Sequence, residues 1–292
     1  MKHIHISGFV DEISNDFSKQ IHELNRLGID YMSIRGVDGK NISEYTLEDI
    51  RTSILPRLIT GGIKISSIGS PIGKIYIQDE KGFAEQKIML ETLCQACEIL
   101  DCQYIRIFSF YIPEGEDPDT YEDDVIHKMQ DFVNIAKKYD VVLLHENEKD
   151  IYGDIARRCK TLFDRIHSPY FQGIFDFANF VQCQEDTRTC YEILKDNIVY
   201  IHIKDALYLE GDNVVCGTGD GKIQELLAEF IHHGYKGFLT LEPHLVLFDS
   251  LKDLELKASS DVIKDDKKMS NEEGFAMQYN ALCAILEKIQ GE

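Results

Sequence analysis

Residues 141–148 read VVLLHENE, residues 172–179 QGIFDFAN, residues 199–206 VYIHIKDA and residues 238–244 FLTLEPH. Each is a short apolar run, rich in β-branched and aromatic side chains, that closes on a polar or charged tip. Runs of this kind suit strands buried on both faces, as in a parallel sheet. Four earlier runs share the pattern: HIHISGF from His3, DYMSIRG from Asp30, KISSIGS from Lys64 and YIRIFSF from Tyr104. Successive runs start roughly 27–40 residues apart, room for one strand and one crossover helix. Helical patterns lie between them, at Phe17, Ile21, Leu24 and Leu27, and at Ile88, Leu90, Leu93, Cys97 and Leu100. A last one carries Tyr279, Leu282, Ile285, Leu286 and Ile289. Gly28, Gly61, Gly62 and Gly234 fall where helices should close. Eight βα units in a row, with no linker, predict an α/β fold: a single-domain (βα)8 TIM barrel over residues 1–292. An open doubly wound sheet would favour a GxGxxG after the first strand, and that motif is absent. Two segments exceed a plain connection. Leu207 to Lys222 reads as a hairpin turning at Gly211-Asp212 and ending in GTGDG. Residues 248–271 form a charged insert, expected to loop over the barrel mouth.

The chain has 292 residues, 43% hydrophobic and 28% charged, enough apolar matter for a large core. Lys and Arg total 31 against 51 Asp and Glu, a net charge of −20. So acidic a surface repels phosphate backbones and anionic lipid, which makes nucleic acid and membrane poor partners. No apolar run approaches the ~20 residues that span a bilayer. The start, MKHIHISGFVDEIS, turns polar too soon for a signal peptide. The expectation is a cytoplasmic protein. The eight cysteines agree, being scattered through apolar segments. Cys94 and Cys97 form a CxxC inside a helical pattern, with no second pair to complete a zinc site.

In a barrel, the C-terminal ends of the strands build the active site. Four consecutive strands deliver Glu146, Asp176, His202 and Glu242 to that rim. A single strand-end Glu or His is usually solvated or paired. Three carboxylates and one imidazole on one arc would repel and desolvate one another without a cation. The reading is one divalent metal ion held by Glu146, Asp176, His202 and Glu242. Mixed O/N ligands suit Mn²⁺ first, with Mg²⁺, Co²⁺ or Zn²⁺ as alternatives. Basic residues gather near the same strand ends: Arg35, Lys74, Arg106, Lys149 and Lys204. Charge compensation accounts for most of them, and an anionic substrate is the competing reading. Lys74, in the SPIGK loop, is the best phosphate candidate. Glu148 and His244, just past ligand positions, are placed to touch substrate or to orient a ligand. GTGDG at 217–221 lacks the Lys-Ser/Thr of a P-loop and reads as a tight turn before a helix. Phe9, Phe108, Phe110, Tyr111, Phe177 and Phe180 lie near the rim, where barrel-top core explains most of them better than sugar stacking.

On these residues the sequence resembles the sugar isomerase/epimerase barrels of the xylose isomerase-like (AP endonuclease 2-type) superfamily. The anchors are SIGSPIGK (67–74), IRIFSFY (105–111), HENEKDIYGD (145–154), FDFANF (175–180), IHIKDA (201–206) and LEPH (241–244). The superfamily's metal motifs fall on Glu146, Asp176, His202 and Glu242. Where many members carry a His three residues after the strand-6 Asp, this chain has Asn179. The resemblance implies a divalent-metal-dependent isomerase or epimerase of a sugar or sugar derivative. It would move a proton next to a carbonyl, through an enediolate, with Glu146 and Glu242 as acid and base. Arg106, Lys204, Glu148, His244 and Lys74 are the expected substrate contacts. The alternative is a lyase on the same scaffold, an inosose-type dehydratase or a keto-glycoside-cleaving enzyme. A nuclease is disfavoured by charge, and a non-catalytic sugar-binding barrel by the complete ligand set. The expected partner is a small sugar, and the sequence leaves the oligomer open, homo-oligomers included.

Overall fold

Eight strands form, each within two residues of its expected start. They are β1 (Ile4–Gly8), β2 (Tyr31–Ile34), β3 (Lys64–Gly69), β4 (Tyr104–Ile107), β5 (Val142–Glu146), β6 (Phe171–Asp176), β7 (Ile198–Ile203) and β8 (Gly237–Leu241). The computed structural model describes residues 3–248 and 269–291. All neighbouring pairs are parallel, in the order β1-β8-β7-β6-β5-β4-β3-β2. The strands β1 and β2 stand side by side without a ladder, so the barrel is nearly closed. The architecture is a TIM barrel.

Helices fill the crossovers: α1 (Phe17–Leu27), α2 (Leu55–Gly61), α3 (Glu80–Leu100), α4 (Glu122–Lys137), α5 (Ala156–Ile166), α6 (Phe177–Gln182), α7 (Thr187–Leu194), α8 (Ile223–His232) and α9 (Asn271–Gly291). Asp16 caps α1 by accepting from the N–H groups of Ser18 and Lys19, and Gly28 ends it in the left-handed region. Leu90, Leu93, Cys97 and Leu100 turn α3 into the core, but Ile88, assigned above to that face, is 69% exposed. It lies on the outer side of a helix whose inner face is already filled. Cys94 and Cys97 are free and buried. No described helix is long and apolar enough to cross a membrane.

The hairpin after β7 forms as expected, with Asp205–Ala206 antiparallel to Asn213–Val214. GTGDG is more than a tight turn. It wraps the Asp205 carboxylate, which accepts the N–H groups of Ala206, Gly217, Gly219 and Gly221 at 2.8–3.0 Å. This leash holds the strand end that carries His202 and Lys204. Of the charged insert, residues 249–268 lie outside the described residues.

Inside the barrel, a hydroxyl cluster lies below the mouth. The Tyr200 hydroxyl contacts those of Ser66 and Ser67 at 2.9 Å and Thr240 at 2.6 Å. Thr240 meets Ser7 at 2.5 Å and Ser33 meets Ser67 at 2.6 Å. These buried groups satisfy one another across β1, β2, β3, β7 and β8. They form a floor two residues below His202.

The loop after β3 is strapped to the loop after β4. Phe108, Phe110 and Tyr111 donate N–H groups to the carbonyls of Ile72, Gly73 and Ile75. Gly73 has φ +88°, and a Cβ there would collide with the Phe108 carbonyl. Gly73→Ala is therefore expected to destabilise the protein by about 2–4 kcal/mol. A urea midpoint shift checks this, and an unchanged midpoint would contradict the strap.

Candidate metal centre

Strand parity decides what reaches the mouth. Leu144, Ile174 and Tyr200 pack together inside the barrel. Residues two further along each strand point the same way. Those residues are Glu146, Asp176 and His202, and Glu242 follows β8 directly. All four are buried, and one ligand-type atom from each lies within 4.8 Å of the others. His202 Nδ1 is 2.7 Å from Glu146 Oε1, 3.2 Å from Glu242 Oε2 and 3.7 Å from Asp176 Oδ2. One imidazole N–H cannot serve three carboxylates. Glu146 Oε2, Asp176 Oδ2 and Glu242 Oε2 are buried with no hydrogen-bond partner. Burying such atoms without a hydrogen bond is costly, and a divalent cation would satisfy all three. The donors, three carboxylates and a ring nitrogen, fit that group.

Asp176 is held by a local device. It is the N-cap of α6, and its Oδ1 accepts the Asn179 N–H at 2.9 Å. That leaves Oδ2 for the centre. Asn147 exchanges two 3.1 Å hydrogen bonds with the Asp176 backbone, and Asn179 Nδ2 donates to the Asn147 carbonyl at 2.7 Å. Asn179 thus ties β5 to β6 at the ligand level.

The basic residues divide into two groups. Arg35, 1% exposed, binds both oxygens of Asp11 at 2.8 and 3.1 Å and Glu242 Oε1 at 2.8 Å. It compensates charge. Lys74 faces Glu148 at 3.5 Å and lies 4.4 Å from the Phe108 ring centroid, so the best phosphate candidate of the sequence is engaged by a carboxylate. Arg106 and Lys204 are different. Arg106 Nη1 is 3.2 Å from Glu146 and 3.7 Å from Glu242, and Lys204 Nζ is 3.2 Å from Asp176 and 3.6 Å from Glu242. Both are buried against the ligand cluster. His244 also arrives here. Its Nε2 has no hydrogen-bond partner and lies 3.6 Å from Glu242 and 3.5 Å from Glu12.

Burial pushes the Glu146 carboxyl up, but His202 and Arg106 overcome it and hold it at about 2. Burial also opposes ionisation of Glu242, and Lys204 and His202 hold it well below the usual carboxylate range. Both glutamates are therefore carboxylates at neutral pH. Asp176 is raised, mainly by burial.

His145, beside Glu146, is 1% exposed and hydrogen-bonds to Ser109 Oγ at 2.9 Å. Burial lowers it from 6.5 to about 3, with Glu146 opposing. Between those values the unfolded chain binds a proton that the folded chain refuses. Stability from this group is therefore present above about 6.5 and is lost as pH falls toward 3, by about 2 kcal/mol at pH 5. His145→Asn should flatten the decline in urea midpoint between pH 7 and pH 5, and an equal decline in both proteins would refute this.

Glu12, from the loop after β1, also reaches this rim. Its Oε2 accepts the His244 N–H at 2.9 Å, linking the β1 loop to the β8 loop, 232 residues apart. No local motif marks such a pair. Phe110, Phe177 and Phe180 belong to the main core, while Phe9 sits edge-on to His202 with ring centroids 5.3 Å apart.

In sequence, residues 21–265 match the family described as xylose isomerase-like TIM barrel. No curated protein matches the chain. Among solved structures, the chain is similar to the IOLI protein with a bound zinc atom, at 15% identity and TM-score 0.75, over 98% of this chain and 99% of that one. It is similar to D-allulose 3-epimerase from Methylomonas sp., at 14% identity and TM-score 0.74, over 97% and 98%. It is also similar to the probable 3-DHS dehydratase of petrobactin synthesis from Bacillus anthracis, at 13% identity and TM-score 0.70, over 96% and 98%.

Proposed function

From the premise that this chain belongs to the xylose isomerase-like TIM barrel family, we propose that it is a divalent-metal-dependent isomerase or epimerase of a sugar or sugar derivative. The observation that carries the reading is the convergence of Glu146, Asp176, His202 and Glu242, with three carboxylate oxygens that make no hydrogen bond in a buried site. Those four residues hold one ion, Mn²⁺ by preference. When bound, it supplies Lewis acidity toward a substrate carbonyl and so eases loss of the neighbouring proton.

The chain's own residues handle that proton. Glu146 and Glu242 come from the two ends of the arc and flank the place where the substrate's reacting carbon would sit. One takes the proton as a carboxylate. The same group returns it for isomerisation, or its counterpart, once it has taken a proton from solvent, delivers that proton to the other face for epimerisation. His202 and Arg106 keep Glu146 ionised before the reaction, and Lys204 and His202 do the same for Glu242. Lys204, His244, Glu148 and Lys74 complete the rim and meet the substrate's oxygens. All of these side chains are buried or partly buried, and that burial strengthens every charge among them.

Solvent exchange tests the proposal. With Mn²⁺ and a panel of ketoses and keto-glycosides in D₂O, deuterium should enter a substrate at the carbon next to its carbonyl. Turnover with the C–H hydrogen moved intact would mean a hydride shift and would remove the acid/base roles of Glu146 and Glu242. Loss of water or an alcohol from the substrate would instead assign a lyase.

A further inference from the structure

The main-chain ladder between β5 and β6 stops short of the metal centre. Its last rung sets Glu146 opposite Ile174, so Asp176 stands two residues beyond it. Past Glu146 the main chain turns away from β6. Asp150 and Tyr152 bond instead to the loop after β4, where Asp150 accepts from Ile112 and Tyr152 donates to Phe110. Strand β7 supports Asp176 on its other side, opposite His202. On the β5 side a side chain takes over. Asn147 Nδ2 donates to the Asp176 carbonyl and Asn147 Oδ1 accepts the Asp176 N–H, both at 3.1 Å. A side-chain amide carries a C=O and an N–H in one plane, as a peptide group does. Asn147 therefore adds a rung that the main chain has left out.

Asn179 locks that rung. Its Nδ2 donates to the Asn147 carbonyl at 2.7 Å, while its backbone N–H donates to Asp176 Oδ1 at 2.9 Å. One residue thus holds both the main chain beside Glu146 and the carboxylate of Asp176. Both asparagines are 1% exposed, so their bonds lie in a medium where they are strong and where a lost partner is costly. Such a lock has a use here. Glu146 and Asp176 carry like charges at the ends of adjacent strands, and like charges at close range push the strand ends apart. A ligand pair already held at its working spacing does not have to be ordered when an ion binds.

We infer that Asn147 and Asn179 are positioning residues of the candidate metal centre: the Asn147 amide extends the β5–β6 ladder to Asp176, Asn179 fixes it there, and together they set the Glu146–Asp176 spacing on which affinity for the ion depends. This rests on the metal-dependent reading above and goes beyond its ligand set.

The test compares the full wild-type chain with N147L and N179L, which keep the branched shape and neutral charge of Asn and remove its side-chain hydrogen bonds. Mn²⁺ affinity is read by calorimetry, on chains shown by circular dichroism to be folded, beside the melting temperature without added metal. A merely structural pair would lower the melting temperature and leave the affinity of the folded chain unmoved. Each folded variant should instead bind Mn²⁺ about 10–100-fold more weakly than wild type. Should a Leu variant not fold, N179S, which removes only the 2.7 Å bond, should show the same loss in a milder form. Wild-type affinity in the folded variants, or failure of all three to fold, would overturn the inference and leave the metal centre standing. A wild-type chain that takes up no Mn²⁺ would overturn both.

Discussion

Replacing Glu146 or Glu242 by Gln is expected to lower kcat by roughly 10²–10⁴-fold, the share that a positioned acid/base group contributes. Gln keeps the shape of the side chain, so barrel packing around it is preserved. It cannot accept a proton from carbon, and it also weakens the hold on a cation. The two effects separate when Mn²⁺ content is measured beside rate. A variant that holds a full complement of Mn²⁺ and still loses the rate has lost its acid or base. Full activity in both loaded variants would show that neither glutamate moves a proton.

The second large effect is expected at His202. It is the one nitrogen in the cluster, and its Nδ1 lies within 3.7 Å of all three carboxylates. His202→Gln should weaken Mn²⁺ binding by more than the ~10–100-fold that groups outside the ligand set usually contribute. A ligand that binds only the folded state adds about 2.7 kcal/mol of stability at a hundred times its Kd. Mn²⁺ should therefore raise the melting temperature of the wild-type chain and leave that of the variant nearly unmoved. Equal shifts in both would place the ion elsewhere.

The fold was legible because a parallel barrel repeats one signal eight times. Each strand is a short, largely buried run, and each start fell within two residues of the alternation in sequence. Ile88 was misplaced because helical spacing alone does not say which of several apolar residues faces inward. The arc of Glu146, Asp176, His202 and Glu242 was legible because barrel geometry sends the last residues of adjacent strands to one rim. What surrounds the arc was less so. The Glu12–His244 contact joins residues 232 apart, and the GTGDG leash on Asp205 is closed by backbone N–H groups, which carry no side-chain signature. The charge relation of Arg106 and Lys204 to the ligands depends on distances of 3–4 Å that no spacing rule supplies. Lys74 shows the reverse. Its glycine-containing loop suggested a phosphate, and the fold sets it opposite Glu148.

The central claim, that four strand ends hold one divalent ion, is tested most directly by anomalous diffraction at the manganese edge from crystals grown with Mn²⁺. The account predicts one strong peak per chain with ligand atoms of Glu146, Asp176, His202 and Glu242 about 2.0–2.3 Å away. No peak in the barrel mouth, or a peak held by other residues, would contradict it.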